Sequence, residues 1–367
     1  MFYNHFTRRE VCKILAGGTL GLFSTRELYA RKLPIIEKNN IQSNDKIKAF
    51  CIDFNWAPEG KFAPPGMFTT ANAKDHFRWY QDLGVNTIQT FCVSCCGYAW
   101  YQSSVPPVNP GMKGDFLKEI TEFGHAAGMK VMGYFCIGAN SYWGQTHPEL
   151  SQGVPGNKWH ILFTAEYLDY LSRSIEDVLQ KVPIDGFMVD WLWNVKPTWL
   201  ECEQKMYTEL FDESFPGKTA IDESKTTEFM RRSVERAWMK IYKTTKSVNE
   251  KCIIWLSCYN LKDPQVAGSK IFKEVDWLMN EHPDPASLEI VRKEIGPHTQ
   301  IIQCLCGWGE QHDANKIIND PRYADVGFYG FAMPNPDTTF PPTDSKDKRF
   351  AGNAKNIEIM RKAFRGK

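Results

Sequence analysis

The stretch YLDYLSRSIEDVLQKVPIDGFMVDWLW, residues 167–193, pairs a helical pattern with a strand-like one. In its first part, apolar side chains recur at helical spacing behind Thr164, a good N-cap residue, which predicts a helix over residues 164–180. In its second part, residues 186–193 form a nearly continuous apolar run, which is typical of a parallel strand buried on both faces. This unit of helix and strand predicts an α/β fold.

The same alternation continues along the chain. Eight runs have the character of buried strands: 47–56, 87–94, 130–138, 186–193, 252–259, 275–282, 300–308 and 326–333. Amphipathic helices are predicted at 72–83, 115–127, 164–180, 225–247, 285–294, 313–319 and 353–365. Gly84, Gly128 and Gly296 stand where helix C-termini are expected.

Eight strands with intervening helices predict a closed (β/α)8 TIM barrel, with a single catalytic domain over residues 47–367. A doubly wound open sheet is the main alternative. No glycine-rich phosphate loop follows the first strand, however, and this favours the barrel.

The N-terminus has the pattern of an export signal. FTRREVCKILAGGTLGLF, residues 6–23, places Arg8 and Arg9 before a short, mildly apolar run with glycines. This resembles a twin-arginine signal over residues 1–30, followed by a linker over 31–46. It predicts export by the twin-arginine machinery to the periplasm or the extracellular space. An amphipathic first helix is the alternative, although the adjacent glycines would weaken it.

Composition excludes several classes of partner. The formal net charge of +1 gives no electrostatic case for nucleic acid or an anionic membrane. No apolar run approaches the roughly 18 residues that a membrane span needs. Aromatic residues make up 13% of the chain, which suits a sugar-binding cleft because flat rings stack on the apolar faces of pyranoses.

Cysteine and histidine spacing predicts neither a metal nor a cofactor. Most of the eleven cysteines lie inside apolar runs, where a free thiol behaves as a small core hydrophobe. Cys92, Cys95 and Cys96 lack the usual spacing of zinc ligands, and no HxH or HExxH pattern is present.

The working residues of such barrels lie at the carboxyl ends of the strands. Polar and aromatic side chains near these ends are therefore the predicted substrate-binding residues: Asp53, Asn55, Trp56, Tyr98, Trp100, Asn140, Trp143, His147, Trp191, Trp193, Tyr259, Asn280, His282, Trp308, Glu310 and Asn335.

Two apolar strands end in a carboxylate, Asp190 on the fourth and Glu281 on the sixth. An ionisable group is costly to hold in apolar surroundings unless it is paired or used. Two carboxylates that face one cleft can cleave a glycoside, one attacking the anomeric carbon and the other protonating the leaving oxygen. We therefore predict Asp190 as the nucleophile and Glu281 as the acid/base. A structural role for Asp190 stays open, and the rival acids are Asp53, Asp276, Glu310 and Asp337.

Residues 70–193 resemble a known family. The matching motifs are GYAWY at 97–101, Lys-Gly-Asp at 113–115, Gly-Met-Lys-Val at 128–131, HPEL at 147–150 and the opening stretch at 167–193. They are similar to the α-L-fucosidase family and to related hypothetical glycosyl-hydrolase barrels. The resemblance implies a retaining mechanism in which Asp190 is the nucleophile. Fucosidases carry a histidine pair after the second strand, whereas this chain has VSCCGY at residues 93–98.

The sequence thus predicts an exported, retaining, exo-acting and fucosidase-like glycosidase, whose partner is an oligosaccharide or glycan. Two alternatives remain. One is a catalytically degenerate, carbohydrate-binding barrel, which the VSCCGY departure favours. The other is a barrel isomerase or lyase acting on a sugar acid, but Lys and Arg are scarce at the predicted strand ends.

Overall fold

The computed structural model describes residues 46–57, 60–154, 158–258, 260–307, 312–342 and 353–366. The predicted export signal and nearly all of the predicted linker lie outside these residues.

Eight parallel strands close into a barrel in the order β1-β10-β9-β8-β7-β6-β3-β2. The barrel strands are β1 (Lys48–Ile52), β2 (Thr87–Gln89), β3 (Lys130–Cys136), β6 (Gly186–Asp190), β7 (Ile253–Cys258), β8 (Trp277–Asn280), β9 (Gln300–Cys306) and β10 (Gly327–Ala332). The remaining two, β4 (Ser151–Val154) and β5 (Lys158–Ile161), pair as a separate antiparallel hairpin. The predicted (β/α)8 barrel is confirmed, with every predicted strand in the wall.

Helices separate most of the strands. They are α1 (Ala73–Leu83), α2 (Phe116–Ala126), α3 (Ser141–Thr146), α4 (Ala165–Lys181), α5 (Glu201–Phe211), α6 (Glu223–Val248), α7 (Ile271–Glu274), α8 (Pro285–Glu294), α9 (Ala314–Ile318) and α10 (Asn353–Phe364). Among the described residues, no helix is long and apolar enough to cross a membrane.

Helix α4 begins and packs as its sequence predicts. Thr164 is its N-cap, with the side chain accepting a hydrogen bond from the Tyr167 amide. The apolar face lies against the barrel, and Ser172 forms a buried hydrogen bond of 2.6 Å with Thr244 of α6. At the end of α1, Gly84 adopts a φ of 84°, a left-handed conformation that glycine reaches without the clash of a Cβ.

Short elements are where prediction and structure differ. The second strand ends at Gln89 rather than at residue 94, and α3, α5, α7 and the β4–β5 hairpin were not predicted. Helix α5 is held by a second small apolar cluster, in which Met206 and Tyr207 pack with Trp199 and Phe229. These two partners lie outside the helix, in the segment before it and in α6, so no local periodicity marks the helix.

The cysteines of the described segments form no disulfides. Most are buried in the core, as expected for thiols in apolar runs: Cys51, Cys92, Cys95, Cys96, Cys136, Cys252, Cys304 and Cys306. No group of three or more His, Cys, Asp or Glu side chains is arranged to hold a metal ion within the part of the chain described.

Candidate active site

A cavity of about 530 Å³ opens at the carboxyl end of the barrel strands. Four acidic side chains line it, namely Asp53, Asp190, Asp263 and Glu281. Aromatic side chains form much of the remaining wall: Trp56, Phe91, Tyr134, Trp191, Trp193, Tyr329 and Phe331. Among the described residues, no Lys, Arg or His lines this cavity. The site is therefore an acidic, aromatic cleft.

Asp190 is the last residue of β6 and is half-buried. Tyr134 donates a hydrogen bond to its Oδ2 (2.7 Å), and the Trp191 amide donates to its Oδ1 (2.9 Å). Burial raises the pKa of this carboxyl, while hydrogen bonds from Tyr134, Trp191 and Ser257 oppose the rise. No arginine or lysine is paired with Asp190 in the described segments, so the alternative of a structural salt bridge finds no support there.

The chain turns sharply straight after Asp190. Trp191 has a φ of 57°, a left-handed conformation that is uncommon for a bulky residue and costs on the order of 1–3 kcal/mol. Gly138, in the loop after β3, allows the turn to pack closely, since a Cβ at this position would lie 2.3 Å from the Trp191 carbonyl oxygen. The strained turn places Asp190 and the Trp191 ring on the same cavity.

Asp53 lies just beyond the end of β1 and is 7% exposed. The Asn55 amide donates a hydrogen bond to its Oδ1 (2.8 Å), and the Asn55 side chain accepts one from the Cys95 amide (2.8 Å). Burial, reinforced by the negative charge of Asp190 and opposed by the Asn55 hydrogen bonds, raises the pKa of Asp53 to about 7. Asp53 is therefore an acid that titrates near neutral pH.

Glu281 follows β8 and is half-buried at the cavity. Its backbone carbonyl accepts a hydrogen bond from His312 Nε2 (3.0 Å), which links it to the segment after β9. The rival acid Asp276 lies elsewhere, because it precedes β8 and binds Lys246 at 2.9 Å. Asp337 is exposed in the loop after β10, whereas Glu310 lies outside the described residues.

An aromatic wall borders one side of the cavity. The Trp191 and Trp193 rings stack with centroids 5.5 Å apart and an angle of 26°. Phe62 meets Trp191 edge-on at 5.6 Å, and Trp56 lies 6.4 Å from it. Trp193 is 39% exposed, the most exposed large apolar side chain described.

Several predicted substrate-binding residues do not line the cavity. Trp100 is buried in the core, where it stacks on Phe54 at 4.4 Å. Trp143 packs against Tyr167 and Tyr170 of α4. Both rings were predicted to bind substrate, but burial among other aromatic side chains is the more favourable environment for them.

Other predicted residues have structural contacts. The Asn140 side chain caps α3, His147 stacks on Trp143 at 3.9 Å, and Tyr98 packs edge-on against Tyr142. The remaining three lie beside the strand ends without reaching the cavity: Asn280, His282 and Asn335. Tyr259, Trp308 and Glu310 lie outside the described residues.

The candidates chosen after the predicted strand ends leave out side chains of the strands themselves that line the cavity. Tyr134 on β3 and Gln89 on β2 were not among the predicted site residues, yet both line the cavity. Gln89 accepts a hydrogen bond from Tyr329 (2.6 Å). Because side chains alternate along a strand, residues two before a strand-end acid face the same way, as Met188 does below Asp190. Counting back by two from each strand-end acid would have found cavity residues such as Met188, but neither Tyr134 nor Gln89.

Comparisons with known proteins bear on the fold and on the predicted family resemblance. Residues 72–191 match the family described as Hypothetical glycosyl hydrolase 6. The α-L-fucosidase isoenzyme 2 from Paenibacillus thiaminolyticus is similar over 88% of this chain, with 14% identity and a TM-score of 0.63. The β-galactosidase from the psychrophilic Marinomonas ef1 is similar over 82%, with 11% identity and a TM-score of 0.55.

This chain spans 49% of the length of the fucosidase and 58% of the β-galactosidase. No curated protein matches the sequence. The structural similarities show the barrel fold, and the family match confirms the predicted resemblance to hypothetical glycosyl-hydrolase barrels.

Proposed function

We propose that this protein is a retaining, exo-acting glycoside hydrolase that removes a terminal sugar from an oligosaccharide or glycan. The observation that carries the proposal is the position of Asp190, which ends a barrel strand in an acidic, aromatic cavity and is oriented by two hydrogen-bond donors. The match to a glycosyl-hydrolase family over residues 72–191 supports the reaction class. The support for a fucosidase-like specificity is the sequence resemblance to the α-L-fucosidase family.

In the proposed mechanism Asp190 is the nucleophile. The Tyr134 hydroxyl and the Trp191 amide favour its ionised form and fix the carboxylate for attack on the anomeric carbon. Glu281, on the same cavity, protonates the leaving oxygen and then takes a proton from the water that releases the sugar. Acidic side chains without a nearby Lys or Arg among the described lining residues also favour the positive charge of an oxocarbenium-like transition state.

The aromatic wall binds the sugar in this proposal. The faces of Trp56 and Trp191 cover apolar ring surface and exclude water from the bond that breaks. Asp53 and Asn55, in the segment that follows β1, contact sugar hydroxyls.

The experiment is hydrolysis of a panel of aryl glycosides, including fucosides and galactosides, with the stereochemistry of the first product followed by NMR. We expect cleavage with retained configuration by the wild type and a loss of several orders of magnitude in Asp190→Asn, with the fold intact. Glu281→Gln should lose most activity on substrates with poor leaving groups. Asp169→Asn, an exposed acid on α4, serves as the matched control.

A degenerate carbohydrate-binding barrel is the second candidate, because VSCCGY at residues 93–98 replaces the fucosidase histidine pair. Sugar binding without cleavage of any glycoside would favour it. Activity that is equal in wild type and Asp190→Ala would contradict the assignment of the nucleophile.

We also propose that the protein is exported to the periplasm or beyond through the twin-arginine route. The support is the Arg8-Arg9 pair and the apolar run that follows. Replacing both arginines by lysine should leave the protein in the cytoplasmic fraction. Unchanged export of that variant would contradict the route.

A further inference from the structure

The carboxyl groups of Asp53 and Asp190 line the same cavity. None of the described residues that line this cavity is a lysine, an arginine or a histidine. They come from β1 and β6, with β2 and β3 between them in the barrel wall. Two carboxyl groups that interact in a poorly solvated cavity do not both ionise at low cost, so one tends to keep a proton.

The hydrogen bonds decide which acid is ionised. Asp190 accepts hydrogen bonds from Tyr134, the Trp191 amide and Ser257. Asp53 is almost fully buried, and its hydrogen bonds come from the backbone and the side chain of Asn55. Donors stabilise a carboxylate, so the better-supplied Asp190 ionises first. The negative charge that results on Asp190 raises the pKa of Asp53.

The other titratable groups around Asp53 do not supply a compensating charge. They come from five elements packed around it: Cys51 on β1, Tyr80 on α1, Cys95 after β2, Tyr134 on β3 and Tyr329 on β10. Burial raises the pKa of every one of these thiols and phenols, so they are neutral at neutral pH. Asp53 is therefore the member of this group that titrates near neutral pH.

We propose that Asp53 keeps its proton while Asp190 is ionised, and that it donates a hydrogen bond to a hydroxyl oxygen of the sugar in the cavity. This role rests on the proposed function and makes Asp53 a specificity-determining acid rather than a carboxylate ligand. A protonated carboxyl offers one donor in a fixed direction, which favours neutral sugars with a hydroxyl at that point.

The test compares Asp53→Asn with Asp53→Ala. An amide is a neutral donor of the same shape as the protonated acid, so Asp53→Asn should keep kcat/KM at pH 6 within about tenfold of the wild type. Asp53→Ala should lose about 100-fold, the usual effect of removing a donor that contacts the transition state. The wild-type kcat/KM should fall above about pH 7, and this alkaline limb should move upward in Asp53→Asn.

Three outcomes would overturn the proposal. In the first, Asp53→Asn is as inactive as Asp53→Ala at every pH. In the second, the alkaline limb of its kcat/KM profile stays where it is in the wild type. In the third, Asp53→Asn cleaves only substrates with good leaving groups. The last result would identify Asp53 as the general acid.

Infrared spectroscopy tests the protonation without turnover. The wild type should show a carboxylic-acid C=O band that titrates near neutral pH and is missing in Asp53→Asn. If the wild type cleaves no glycoside, the proposed function fails, and this band still decides whether Asp53 is protonated.

Discussion

Tyr134 donates a hydrogen bond to Asp190 across two neighbouring barrel strands, with 2.7 Å between Oη and Oδ2. Asp190 pairs with Cys136 in the β3–β6 ladder, so Tyr134 stands two residues lower on β3 and faces the same side. The Tyr134 hydroxyl thus approaches the Asp190 carboxylate from the side of the barrel interior. The strand register of the barrel therefore orients the proposed nucleophile.

Tyr134→Phe should shift the acid limb of the kcat/KM profile to higher pH. The hydroxyl lowers the pKa of Asp190, and a hydrogen bond to a charged group contributes about 1.5–3 kcal/mol, so the shift should be about 1 to 2 pH units. Tyr329→Phe is the control, since its hydroxyl binds Gln89 instead. An acid limb that moves equally in both variants would argue against a specific role of Tyr134.

Gly138→Ala should disturb both stability and activity. The added Cβ would meet the Trp191 carbonyl oxygen, so the turn that follows Asp190 must shift. We expect a loss of about 1–3 kcal/mol in urea unfolding and a marked fall in kcat.

Gly128→Ala is the matched glycine control. It has a φ of +74° but no atom within 4 Å of the new Cβ. It should cost about 1 kcal/mol through backbone strain and leave kcat unchanged. Unaltered kcat in Gly138→Ala would show that the turn tolerates displacement.

Trp193→Ala should weaken binding of the leaving group while sparing stability. The ring is 39% exposed and stacks on Trp191 at the edge of the cavity. Loss of one stacking partner, about 1 kcal/mol, should lower kcat/KM several-fold for a disaccharide. The corresponding glycosyl fluoride has no sugar as leaving group and should react at the wild-type rate.

Trp79→Ala provides the comparison on the outside of the barrel, where the ring packs against Phe50. That variant should lose stability and keep kcat/KM for both substrates. Equal losses for disaccharide and fluoride in Trp193→Ala would place the ring at the terminal sugar instead.

His76 should make the fold sensitive to acid. Its ring is buried against Phe340 and hydrogen-bonded to Thr339, and burial lowers its pKa from 6.5 to about 3. Below about pH 6.5 the unfolded chain takes up a proton that native His76 refuses, so stability falls. The loss should reach about 2 kcal/mol between pH 7 and pH 5.

His76→Gln removes the titration and keeps a polar partner for Thr339. Its free energy of unfolding should fall less between pH 7 and pH 5 than that of the wild type. Parallel curves for the two proteins would exclude His76 as the cause.

The sequence alone determined those features of the protein that depend on local interactions. The apolar runs and the cap at Thr164 depend on neighbours within a few residues, and they predicted the barrel wall and α4 correctly. In a parallel barrel the carboxyl ends of the strands lie at the same end of the barrel. On this rule Asp53, Asp190 and Glu281 were expected at one site, and all three line the same cavity.

Only the tertiary structure decided how each side chain is used. Trp100 and Trp191 were both predicted to bind substrate. Trp100 is buried in the core, whereas Trp191 lines the cavity. The raised pKa of Asp53 depends on burial and on the charge of Asp190, a residue far along the chain, because desolvation and charge act through space. Side-chain direction and pKa are set by neighbours that closure of the barrel brings together, and no local pattern encodes them.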